Sequence, residues 1–165
     1  MKPQPFKPVQ SHAASLPEDN IDTDIIFPAR FLLLTSKQGL GAHAFHDRRY
    51  HADGSENAAF VLNQAPFRQA EVIVAGANFG SGSSREQAVW ALQDFGIRAI
   101  AAPSFGEIFF ANCLRNGVLP LVFPAETCAN LAVAAASGKQ FAVDLEAQLL
   151  TAEGVTHLFG NPGTT

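Results

Sequence analysis

The chain lacks any run of lysine or arginine. Its 11 basic residues are outnumbered by 15 acidic ones, for a formal net charge of −4. Phosphate neutralisation needs clustered cations, so nucleic acid is excluded as an expected partner. Cysteine is nearly absent. Cys113 and Cys128 are the only two, and they stand in no CxxC or other zinc spacing. They are expected to be buried reduced thiols rather than a disulfide framework or a metal site. No apolar stretch approaches the ~18 residues of a membrane span. The N-terminus carries Pro3, Pro5 and Pro8 but no apolar core of a signal peptide. A cytoplasmic protein with no membrane partner is the expectation. Internal repeats and low-complexity segments are lacking too. What is present is a globular composition, 47% hydrophobic and 16% charged over 165 residues, enough for one domain with a buried core.

The whole chain, 1–165, reads as a single domain with irregular tails over about 1–15 and 160–165. Asp19-Asn20-Ile21-Asp22-Thr23-Asp24 is a turn-prone cluster followed by the apolar Ile25-Ile26-Phe27 and Pro28. Asp22 and Asp24 suit turn-forming and capping roles as well as catalytic ones. Residues 35–57 form a long loop-rich stretch of the kind that often carries function. From residue 72 the pattern sharpens. Val72-Ile73-Val74-Ala75 is a buried-strand run, and Ala88, Ala91, Leu92 and Phe95 mark one apolar helix face that stops at Gly96. A strand at 97–101, a helix through Phe105–Cys113 and a strand at 118–123 follow. Strand, helix, strand, helix, strand over about 72–123 predicts an α/β fold with a parallel βαβαβ unit. A helix over 129–136 and a hairpin from 141–145 and 149–151 complete the reading.

Gly80-Ser81-Gly82-Ser83-Ser84-Arg85-Glu86 joins the first of these strands to its helix. Ser83 with Glu86, and Ser84 with Gln87, both have capping-box spacing, so one serine can cap while the other points outward. Gly80 and Gly82 let a ligand approach the backbone. Free N–H groups and the helix dipole favour an anion there, and Arg85 offers a planar fork for a carboxylate or phosphate. The alternative is a glycine-rich turn that only starts a helix. The nucleotide phosphate loop is excluded because no lysine is present, and the dinucleotide fingerprint because the third glycine is missing. His43-x-x-His46 and His51 have no supporting carboxylates and read as solvated loop histidines, with no metal expected.

With Asn78-Phe79 ahead of it, this loop resembles the signature of the swivelling domain of the aconitase superfamily. The acidic cluster ending at Pro28 resembles its N-terminal motif. Ala102-Pro103-Ser104-Phe105-Gly106-Glu107-Ile108-Phe109 and Asn112-Cys113-Leu114-Arg115-Asn116-Gly117-Val118-Leu119-Pro120 resemble later ones, in the same order. The likeness runs over about 18–150 and is greatest to the family of 3-isopropylmalate dehydratase small subunits. It implies a swivelling domain in β/β/α layers. It also implies a separate large subunit, in a heterodimer or higher assembly, which holds a [4Fe–4S] cluster through three cysteines; this chain would hold no cofactor. By the resemblance, Ser83 is the catalytic base, and Ser84, Arg85 and Gly82 bind a carboxylate of a 2-hydroxy dicarboxylate. Thr23 and Asp24 support them, and Leu32, Leu33 and Leu34 form a specificity loop facing the substrate side group. The implied reaction interconverts 2- and 3-isopropylmalate by dehydration and rehydration in leucine biosynthesis.

The chain departs from the family pattern in three places. Leu33-Leu34 stands where leucine-pathway members carry Lys-Arg, and Gln87 where histidine is common. The sequence also ends soon after Phe159, before the C-terminal segment of longer members. Homoaconitase, citramalate and dialkylmalate types therefore stay open as alternatives, as does a non-catalytic anion-binding module.

Overall fold

The computed structural model describes residues 6–33, 36 and 38–160. Seven strands form one sheet. They are β1 (Val9–Leu16), β2 (Val72–Ala75), β3 (Ala99–Ala102), β4 (Leu119–Val122), β5 (Gln140–Asp144), β6 (Leu149–Ala152) and β7 (Val155–Leu158). The strand order is β4-β3-β2-β1-β5-β6-β7. The β4-β3-β2-β1 half is parallel, and β1-β5-β6-β7 is antiparallel. The helices are α1 (Thr23–Ile26), α2 (His46–Arg49), α3 (Glu86–Phe95), α4 (Glu107–Arg115) and α5 (Ala125–Ala136). The predicted βαβαβ unit is β2-α3-β3-α4-β4, and the protein is a mixed α/β fold.

The parallel strands are buried on both faces, so their sequences are continuous apolar runs. Ile73, Ala75, Ile100 and Ala102 face α3, α4 and the segment after β1 in one core. Val72, Val74, Ala99 and Ala101 face α5 and the antiparallel strands in a second core. The sheet curls: Phe123, just after β4, meets the ring of His157 on the opposite edge strand at 6.0 Å and that of Phe159 at 6.5 Å.

Residues 9–15 correct the expectation of an irregular N-terminal tail. They lie in β1, the central strand where the parallel and antiparallel halves meet. Its helix-facing and α5-facing positions are Ala14 and Ala13, both fully buried, so small side chains rather than a long apolar run fill the space. Residues 1–5, and 161–165 of the other expected tail, lie outside the described residues. The loop-rich 35–57 stretch is pinned by buried Arg49. Its guanidinium donates to the carbonyls of Gly41 (3.0 Å) and Ala44 (3.3 Å) and stacks over Phe95 of α3 at 4.9 Å.

Candidate functional site

The site is built where β1, β2 and β3 end. All three are parallel, so the segments after them emerge on one edge of the sheet, where open α/β sheets bind ligands. The segment after β2 is held between the other two. On one side the acidic cluster after β1 laces onto it. Asn20 N–H donates to the Ala77 carbonyl (2.8 Å), Gly80 N–H to Ile21 (2.7 Å), and Thr23 N–H to Ser81 (2.9 Å). Asp19 accepts from Ala77 N–H at 2.8 Å, and Asn78 Nδ2 donates to Asn20 at 3.0 Å. On the other side, Phe79 N–H donates to the Ser104 carbonyl (3.2 Å) and Gly106 N–H to that of Phe79 (2.9 Å).

This close packing explains the glycines. A Cβ on Gly80, whose φ is +80°, would lie 2.2 Å from Phe109 Cγ. One on Gly106 would lie 2.5 Å from the Gly80 carbonyl oxygen. The glycine-serine loop is thereby pressed against the start of α4. Between them opens a cleft of about 250 Å³. It is lined by Thr23, Gly80 to Arg85, Gly106 to Phe109, and Asn112.

The serines do not cap. Helix α3 begins at Glu86 with Arg85 at the cap position, extended and without a side-chain cap bond. The expected Ser-x-x-Glu/Gln boxes are not formed, because the Ser83 carbonyl is drawn the other way. Buried Thr23 donates its Oγ1 to that oxygen at 2.7 Å. Ser83 and Ser84 are left exposed, and neither hydroxyl has a protein partner among the described residues. The N–H groups of Gly82 through Glu86 likewise donate to no carbonyl among them. Unused donors, exposed hydroxyls and the N-terminus of a ten-residue helix converge on one cleft.

Arg85 is already half engaged. Its Nη1 donates to Asp24 at 2.8 Å and to the Phe27 carbonyl at 3.2 Å. Nε and Nη2, the side-on pair of the fork, remain without a partner among the described residues. Asp24 accepts from Ala29 N–H as well, at 3.0 Å. The Arg85 hydrogen bond, followed by that of Ala29, holds the Asp24 carboxyl below its ordinary range despite some desolvation. Asp22 caps α1 by accepting from Ile25 N–H at 2.9 Å. Both aspartates therefore organise backbone, and Asp24 also aims the arginine.

Of the expected specificity loop, Leu32 packs partly against the core and Leu33 is 91% exposed, while Leu34 lies outside the described residues. The expectation of solvated histidines needs correction at His43. Its ring stacks on Phe31 at 4.1 Å, and its Nδ1 is sealed from water without a partner. Burial, with nearby His46 and Arg30, pushes its pKa down. His46 sits beside the ion pair of Arg30 and Asp47.

The described residues contain no group of three or more His, Cys, Asp or Glu that could hold a metal. Cys113 and Cys128 lie in different cores, and burial raises both thiols, that of Cys128 to about 11. These cysteines do not fit an iron–sulfur cluster. No helix among the described residues is long and apolar enough to cross a membrane.

Sequence reasoning gave Asn112 no role, although it lies in the cleft. The available signal was a lone amide on an otherwise apolar helix face, between Phe109 and Cys113.

Residues 4–126 match the family model described as Aconitase C-terminal domain. The chain is 54% identical over 147 residues to a "3-isopropylmalate dehydratase small subunit" of Gluconacetobacter diazotrophicus. That match covers 88% of this chain and 71% of the relative. It is 51% identical over 150 residues to a protein of the same name from Cereibacter sphaeroides, covering 90% and 75%. A crystal structure of 3-isopropylmalate dehydratase from Methanocaldococcus jannaschii superposes with a TM-score of 0.71 at 28% identity. The match covers 93% of this chain and 82% of that one.

Proposed function

The chain belongs to the aconitase C-terminal domain family, and on that premise we propose that it is the small subunit of a 3-isopropylmalate dehydratase. This hydro-lyase interconverts 2- and 3-isopropylmalate in leucine biosynthesis, and the cytoplasm is its expected place of action. The observation that carries the site assignment is the cleft lined by Gly82 to Arg85, whose N–H groups donate to no carbonyl among the described residues, together with the Ser83 and Ser84 hydroxyls and the Arg85 side chain.

A substrate carboxylate is held by the Arg85 Nε and Nη2 pair together with Ser84 and the backbone donors beside Gly82. Ser83 Oγ takes the proton from the carbon next to a carboxylate. The C–H electron pair becomes the C=C bond as the neighbouring hydroxyl departs with its own pair. Ser83 holds the abstracted proton, the departing hydroxide takes up one proton from solvent to become water, and an unsaturated diacid remains. Rehydration with the opposite placement, returning both protons, completes the isomerisation. A serine is a competent base only if its alkoxide is stabilised. The open N–H groups and the Arg85 charge do this in a partly enclosed cleft. Thr23 fixes the Ser83 backbone and Asp24 aims Arg85. Of the expected specificity loop, Leu32 and Leu33 are assigned to the isopropyl side, where an apolar surface disfavours a second carboxylate.

Lewis-acid chemistry at the departing hydroxyl belongs to a [4Fe–4S] cluster, which we place in a separate large subunit. The test is reconstitution with a cluster-bearing large subunit, assayed on a panel of 2-hydroxy diacids. Turnover of isopropylmalate above homocitrate, citramalate and dialkylmalates is expected. Association without turnover of any of them refutes the proposal.

A further inference from the structure

Asn112 presents a donor to this cleft that nothing above has used. It is only 3% exposed, yet it lines the cleft with Ser83, Ser84 and Arg85. Its Oδ1 accepts a hydrogen bond from Arg115 Nη2. A guanidinium only donates, so this contact settles which end of the amide is oxygen. The NH2 end then has no acceptor among the described residues, and Nδ2 is not sealed off from solvent. Solvent reaches this donor in the cleft, and a carboxylate that enters replaces that water with a charge-assisted hydrogen bond.

The donor is also held in place. Asn116 Nδ2 bridges the Asn112 carbonyl at 2.8 Å and Glu86 Oε1 at 3.0 Å, while Arg115 approaches Glu86 Oε2 at 3.9 Å. These contacts tie the end of α4 to the first residue of α3. Asn112 thus sits in fixed relation to the turn that carries Ser83, Ser84 and Arg85, and its amide needs no reorganisation to meet an anion.

We propose that Asn112 Nδ2 is a further substrate-binding group, donating to the carboxylate that Ser84 and Arg85 grip. This rests on the reading of the cleft as the dicarboxylate site. Asn112→Asp keeps the shape and the Arg115 contact but replaces the donor with a repelling oxygen. Asn112→Ser removes the amide NH2, leaving a shorter hydroxyl that does not reach the Nδ2 position, and serves if the aspartate variant folds poorly. Asn116→Ala loosens the tie to Glu86 and keeps the Asn112 amide itself.

The experiment measures KM and kcat of the reconstituted two-subunit complex, together with the inhibition constant of a non-reacting dicarboxylate and a thermal melt. KM and the inhibition constant should rise about tenfold or more in Asn112→Asp and by a smaller factor in Asn112→Ser, with kcat changing less. Asn116→Ala, which loosens the bridge that positions the amide, should lower the melting temperature and raise KM by a smaller factor than Asn112→Asp. An active wild type alongside unchanged KM and inhibition constant in both Asn112 variants overturns this inference alone. A wild-type complex inactive on every diacid overturns the functional reading, and this inference with it.

Discussion

Thr23→Val removes one hydroxyl and little else. The side chain is 2% exposed, and its Oγ1 donates to the Ser83 carbonyl at 2.7 Å. Valine keeps the branched shape, so the loss is essentially one hydrogen bond, worth about 1 kcal/mol net. The Ser83 carbonyl borders an open cleft, and water can take the place of the lost donor, which argues against a larger penalty. For a domain of this size the melting temperature should fall by about 2–4 °C. The effect on turnover should be much larger. That hydrogen bond holds the backbone of the residue assigned as base, and a displacement of about 1 Å can cost roughly a hundredfold in rate. The assay is kcat and KM of the reconstituted complex beside a thermal melt of the isolated chain. Thr23→Ser retains the donor and should restore most of kcat. A Thr23→Val protein that melts a few degrees lower but keeps wild-type kcat would refute the claim that Thr23 positions Ser83.

Arg85→Lys removes the side-on Nε and Nη2 pair and the contact with the Phe27 carbonyl, so KM should rise about tenfold or more while kcat falls less. Asp24 has a carboxyl pKa depressed from 3.8, so its stabilisation is present above that value and is lost as pH falls through the lower folded value. Its side chain is 63% exposed, which keeps the difference between Asp24→Asn and wild type below about 1 kcal/mol, visible in melts above pH 4 and vanishing in stronger acid. Gly80→Ala places a Cβ 2.2 Å from Phe109 Cγ at a positive φ; destabilisation of about 3 kcal/mol is expected in denaturant unfolding, and a wild-type curve would contradict the packing described.

What was legible in the sequence, and what was not, has a physical division. β2 was readable because burial on both faces demands the unbroken run Val72-Ile73-Val74-Ala75. β1 was not, because its central place in the sheet is filled by Ala13 and Ala14 among polar neighbours, which mimic a loop. β7 was missed although Glu153-Gly154 makes a tight turn with both φ values positive, a hairpin signal between Thr151 and Val155. At the site, the glycine-serine loop announced itself locally. The Ser-x-x-Glu spacing misled, because Thr23, sixty positions earlier, competes for the Ser83 backbone. Likewise the Arg85–Asp24 pair spans 61 positions, and no local pattern predicts it. Residues that act through long-range contacts, such as Thr23, Asp24 and Asn112, take their roles from the fold.

The most direct test of the account is Ser83→Ala in the reconstituted complex. The side chain is exposed and without a protein partner among the described residues, so folding and subunit association should be unchanged. Loss of a positioned general base should lower kcat by about 10²–10⁴-fold with little change in KM. A Ser83→Ala complex that dehydrates isopropylmalate at near wild-type kcat would contradict the assignment of the base.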